Sequence, residues 1–180
     1  MVIIKIIIRA ISLIIKMIKS YSQANKIKKM GSASLLALDD DNFYEAIECY
    51  CDGAIMDVTD EDLTIEQRYI YSLYMFELEV NNGGLCQFFV NSSRECAPYI
   101  SEALGAIGAN SLKSLFDNFI EDNGIDVNDL TFFEISDIDE YEAQTQRFDF
   151  DSFDDKFYED ENFHQLIIDY ARKNIDNIVK

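Results

Sequence analysis

A chain of 180 residues is long enough to bury one substantial core and short for two. Its apolar fraction of 48% argues against intrinsic disorder, although the formal net charge is -19 at pH 7. One proline and seven glycines leave few breaks, which predicts an all-α fold: a compact multi-helix single domain with an extra N-terminal amphipathic helix.

The first element is that extra helix, over residues 2–19. Lys5, Arg9, Ser12, Lys16 and Lys19 follow one another at steps of three and four, so a helix carries them as one cationic stripe on an otherwise apolar surface. Charges threaded through the apolar run weigh against a signal peptide and against a spanning helix. Packing on the body or on a second copy, contact with an anionic membrane surface, and a signal anchor all stay open for residues 2–19. Ser20–Ser34 reads as a linker. Residues 1–30 hold seven Lys/Arg and no acid, whereas residues 31–180 hold 8 basic and 34 acidic residues. That body should repel nucleic acid directly and attract basic proteins.

A helix over Asp39–Asp52 turns Phe43, Ala46, Ile47 and Tyr50 to one side, with Gly53 ending it. Thr64 and Gln67 have capping-box spacing and open a second helix bearing Ile70, Leu73, Tyr74 and Leu78. Asn81, Asn82, Gly83 and Gly84 stop it, because such residues tolerate the left-handed conformation of a helix end. Leu85–Asn91 then restarts as a short helix. Ser93 or a neighbour should cap the next helix, with Pro98 in its first turn, and Gly105 and Gly108 should allow close helix approach. Asn110–Asp122 follows, ended by Asn123 and Gly124. Ile125–Ser136 is ambiguous, and Asp137–Phe148, Ser152–Tyr158 and Asn162–Val179 read as three further helices.

Catalytic chemistry finds little support. The one histidine, His164, has no evident partner, so neither a histidine triad nor a multi-histidine metal site is readable. Cys49 and Cys51 cannot share a helix face, and four scattered cysteines fit reduced thiols in the cytoplasm. Asp149, Asp151, Asp154 and Asp155 superficially match a calcium loop. Asp154 stands at its sixth position in place of glycine, however, and Asp160 at its twelfth in place of glutamate. No catalytic residue, cofactor or dedicated metal site is expected.

The run from Glu77 through Glu79, Asn81, Asn82, Gly83, Gly84, Gln87, Phe88, Phe89 and Asn91 to Ser93, followed by Glu102 to Ala109, resembles the DNA mimic protein nineteen family, a group of bacterial helical domains. Leu85 stands where that family usually has phenylalanine. The resemblance covers residues 40–125 well and the acidic C-terminal part loosely. It implies a helical homodimer that offers rows of carboxylates to a transcription factor's DNA-binding surface. Read for themselves, Asn82, Gly83, Gly84, Gln87 and Asn91 are turn formers whose amides would satisfy helix-end backbone groups.

The densest acidic run is Glu121–Glu161, with 16 Asp/Glu against Arg147 and Lys156. Asp137, Asp139, Glu140, Glu142, Asp149, Asp151, Asp154, Asp155, Glu159, Asp160 and Glu161 are the candidate partner-binding acids. Tyr141, Phe148, Phe150, Phe153, Phe157 and Tyr158 are expected to fasten their helices to the core. Sequestering a basic DNA-binding protein is one reading of this charge. An immunity-type or membrane-associated protein that neutralises a basic partner is another, and an enzyme using clustered carboxylates with a metal is a third.

Overall fold

A computed structural model describes residues 19, 21–55, 62–160 and 162–180. Most of the expected cationic helix over residues 2–19, and the candidate acid Glu161, lie outside the described residues. The fold is all-α, and no strand occurs among the described residues. No helix there is long and apolar enough to cross a membrane. The chain divides into two compact units, one running to Gln67 and resuming over Ala171–Lys180, the other comprising Arg68–Tyr170.

In the first unit, helix α1 (21–30) replaces the expected linker and buries Ala24 and Ile27. Helices α2 (Ser32–Leu36) and α3 (Asp40–Tyr50) follow. Asp39 starts α3 by accepting from the Asn42 backbone N–H at 3.0 Å, and Phe43, Ile47 and Tyr50 are buried. Gly53 does not end the helix, because the chain continues through a π-helical turn, Cys51–Ile55. Thr64 and Gln67 form the reciprocal capping box their spacing predicts. The Gln67 N–H donates to Thr64 Oγ1 at 3.1 Å, and the Thr64 N–H donates to Gln67 Oε1 at 3.0 Å. Arg172 closes the unit: its guanidinium stacks 4.3 Å from the Phe43 ring centre and donates to Asp40 Oδ1 and Leu38 O, each at 2.8 Å.

The second unit is built on α4 (Ile65–Val90), whose residues from Arg68 onward belong to it. A 3-10 turn (Ser92–Cys96), α5 (Ala97–Ile107), α6 (Asn110–Asn123), a second 3-10 turn (Thr131–Phe133), α7 (Ile138–Thr145), α8 (Phe150–Tyr158) and α9 (Phe163–Lys173), of which the residues up to Tyr170 belong to this unit, follow. The expected last helix breaks at Asn174, so α10 (Ile175–Ile178) is separate and lies in the first unit. Ser93 does not cap α5. It is buried and its hydroxyl donates to Phe88 O at 3.2 Å, while the 3-10 turn leads directly into α5. Gly108 is no packing notch either: at φ 83 it forms the left-handed end of α5, as Gly124 does for α6.

Phenylalanine rings fill this unit. Phe76 meets Phe88, Phe116, Phe153, Phe157 and Phe163 edge-on, and Phe89 stacks on Phe133 at 4.7 Å. The chain from 125 to 136, ambiguous in sequence, is an ordered loop whose Leu130 and Phe133 are buried.

Candidate functional site

The acidic face begins at the broken helix α4. Gly83 (φ -163, ψ 26) and Gly84 (φ 78, ψ 178) interrupt it, so the chain stops and restarts as the two glycines suggest. A helix interrupted this way exposes carbonyls on one side of the break and N–H groups on the other. Two of these groups are satisfied by α8. Asp154 Oδ1 accepts from the Leu85 N–H at 2.8 Å, which caps the second half of α4. One helical turn on, Tyr158 Oη donates to Val80 O at 2.6 Å and closes the first half. Side chains four residues apart share a helix face, so a single stripe of α8 serves both severed ends.

The motif amides are used differently from the expectation that they would satisfy helix-end backbone groups. Gln87 Nε2 and Asn91 Nδ2 both donate to Glu79 Oε2, at 2.7 and 2.8 Å. Glu79 lies before the break and its two donors after it, so the carboxylate ties the halves together. Phe88 and Phe89 are fully buried in the core, whereas Asn81 and Asn82 are exposed. His164, without an evident partner in sequence, sits 3.0 Å by Nδ1 from Oε1 of the buried Glu77. Burial and the nearby Asp154 push the Cys86 thiol up to about 11, so this thiol stays protonated and unreactive at neutral pH.

Helix α8 thus has three working sides. Phe150, Phe153 and Phe157 enter the core, and Asp154 and Tyr158 hold the break. Asp151, Asp155 and Glu159 lie at steps of four on the remaining, exposed side. Successive members of this row rise about 6 Å along the axis. Their carboxylates make no hydrogen bond or ion pair with the described residues, and nor do the exposed carboxylates of Asp139 and Glu142 on α7.

The remaining candidate acids have local work. Asp137 caps α7 through the Glu140 N–H at 3.0 Å, and Glu140 Oε2 accepts from the Ser136 N–H at 2.6 Å. Asp149 caps α8 through the Ser152 N–H at 3.2 Å, and Asp160 accepts from the Asn162 N–H at 3.0 Å. Six of the eleven acids singled out in sequence therefore have no local duty or lie outside the described residues; the other five secure helix ends. Of the aromatic fasteners, Phe148 and Tyr141 are half-buried, and Tyr158 is exposed over most of its ring while its hydroxyl holds Val80.

Burial raises the Asp154 pKa above its ordinary value, the Leu85 N–H opposes this, and Asp151 and Asp155 add to the rise. A raised carboxyl pKa contributes stability that is present below the unfolded value and lost as pH climbs through the folded one. Asp154→Asn keeps an oxygen for Leu85 and removes the buried charge. The variant is expected to equal or exceed the parent in stability at pH 7, with the gap closing as pH falls toward 4. Urea unfolding at the two pH values checks this; a variant clearly weaker than the parent at pH 7 sinks it.

No group of three or more metal-ligating side chains occurs among the described residues. A family model described as DMP19-like protein matches residues 61–174, more than half of the chain, and spans the break, the aromatic core and the acidic helices. No curated protein and no solved structure matches the chain.

Proposed function

Because the chain belongs to the DMP19-like protein family, a membership that suggests a DNA-mimic role, we propose that it acts as a non-catalytic acidic decoy. It occupies the DNA-contacting surface of a basic DNA-binding protein such as a transcription factor. The observation that carries this reading is the exposed row Asp151, Asp155 and Glu159, set on a helix whose other two sides are fixed. Duplex phosphates recur about every 3.4 Å along the axis on each strand. One helical row at about 6 Å carries roughly half the linear charge density of a single strand, and Asp139 and Glu142 of α7 add two further exposed carboxylates. The protein works as a homodimer in the cytoplasm and makes no direct contact with nucleic acid; the cationic stripe of residues 2–19 adds attraction to an anionic membrane surface.

The test replaces Asp139, Asp151 and Asp155 with Asn and Glu142 and Glu159 with Gln. The helix-capping acids stay in place, so thermal unfolding should be unchanged. Capture of a basic DNA-binding protein from the native cell should fall at least tenfold. Captured protein should also elute with duplex DNA and with salt, since both compete for one basic surface. Capture that survives both the five substitutions and excess duplex removes the proposal.

A further inference from the structure

A cavity of about 370 Å³ opens between α6 and α8, beside the carboxylate row. Leu115, Phe119 and Phe153 supply its apolar lining, and Asp122 and Asp149 are among the polar residues that complete it. Asp149 uses one oxygen, Oδ1, on the Ser152 N–H, which leaves Oδ2 without a hydrogen bond among the described residues. Asp122 makes no hydrogen bond or ion pair with them. Lys156 also lines the cavity, and it has no carboxylate within ion-pair distance among the described residues.

We propose that this cavity receives an arginine side chain of the basic partner. An arginine has the matching division of chemistry. Its three-carbon stem is apolar and suits Leu115, Phe119 and Phe153, while its guanidinium offers five N–H donors to Asp122 and Asp149. A lysine ammonium reaches as a point charge and lacks the planar fork that engages carboxylates in pairs. The inference rests on the decoy reading above and adds to it a source of selectivity. A row of charges attracts any basic surface, whereas a cavity of mixed polar and apolar lining discriminates by shape between partners of equal charge.

Titrating the full chain with acetyl-arginine amide, followed by backbone amide shifts, tests the site without a known partner. Shifts should concentrate on residues 115–123 and 149–156, and acetyl-lysine amide should bind about tenfold more weakly. Ser152→Phe fills the cavity and leaves every carboxylate intact; it should abolish those shifts while capture by charge alone survives. Should that variant fail to fold by circular dichroism, Asp122→Asn serves, with an expected loss of about tenfold in affinity. The five-fold charge variant should still bind arginine amide, so failure of the decoy reading and failure of the cavity are told apart. Shifts scattered over all acidic helices, equal binding of lysine amide, or binding untouched by Ser152→Phe and Asp122→Asn overturn the proposal.

Discussion

Replacing Phe76 with alanine is expected to lower the unfolding free energy by about 3–5 kcal/mol, the range for removing a fully enclosed phenylalanine. Phe76 is 0% exposed, and five rings surround it edge-on at centroid distances of 5.1 to 6.4 Å. Those rings come from α4 beyond its break, α6, α8 and α9, so no single element can collapse into the void. Residual cavity volume adds to the lost burial when neighbours are held from several sides. Against a total stability of roughly 5–15 kcal/mol for ordinary domains, this is a large fraction. Phe132→Ala is the control, since Phe132 is 42% exposed and touches the Arg147 guanidinium, 3.8 Å from its ring centre, and the Phe133 and Phe148 rings. Its loss should stay near 1 kcal/mol. Urea unfolding of both variants decides the matter, and equal losses would show that Phe76 is not the hub.

Gly84→Ala should be the most damaging of the glycine substitutions. The residue holds φ 78, and a Cβ there would lie 2.1 Å from Asp154 Oδ2. Two costs combine: a positive φ with extended ψ (178), a region essentially restricted to glycine, roughly 1–3 kcal/mol, and expulsion of the carboxylate that caps Leu85, roughly 1 kcal/mol or somewhat more. Gly124 shares the positive φ, at 59, but a Cβ there meets nothing within 4 Å. Gly124→Ala therefore carries the backbone cost alone. In an Asp154→Ala background the second cost has already been incurred, so Gly84→Ala should then keep its backbone cost alone, about 1 kcal/mol less than in the parent. A thermodynamic cycle over the two positions measures this coupling; additive losses would deny that Asp154 and Gly84 act as one joint.

The sequence made some of this joint readable and hid the rest for a physical reason. Gly83 and Gly84 announce a break because backbone preference is local. Thr64 and Gln67 announce a cap because both partners lie within one turn. Leu85 N and Asp154 are 69 residues apart, and Val80 O and Tyr158 are 78 apart. No spacing rule reaches across such a separation, so Asp154 looked like one more surface acid. His164 and Glu77 escaped notice for the same reason, 87 residues apart. The split at Asn174 and the π-helical turn through Gly53 were likewise unreadable, since helical periodicity continues through both. Among the acids, exposure separated Asp151, Asp155 and Glu159 from Asp154, and exposure depends on what packs alongside. The steps of four were in the sequence; which step faced water was not.

The way α8 grips both ends of the interrupted helix also bears on speed. A helix docked by its core phenylalanines alone could rock about its axis and swing its outer carboxylates with it. Fixed at Leu85 and at Val80, α8 presents them as a stiff template, already in shape before any encounter. The ordering lost on association then falls mainly on side-chain rotamers rather than backbone. Long-range attraction between such a template and a cationic surface can be converted into fast, orientation-selective capture. If the protein acts as the decoy proposed above, a joint between two halves of a helix would set how quickly it captures its basic partner.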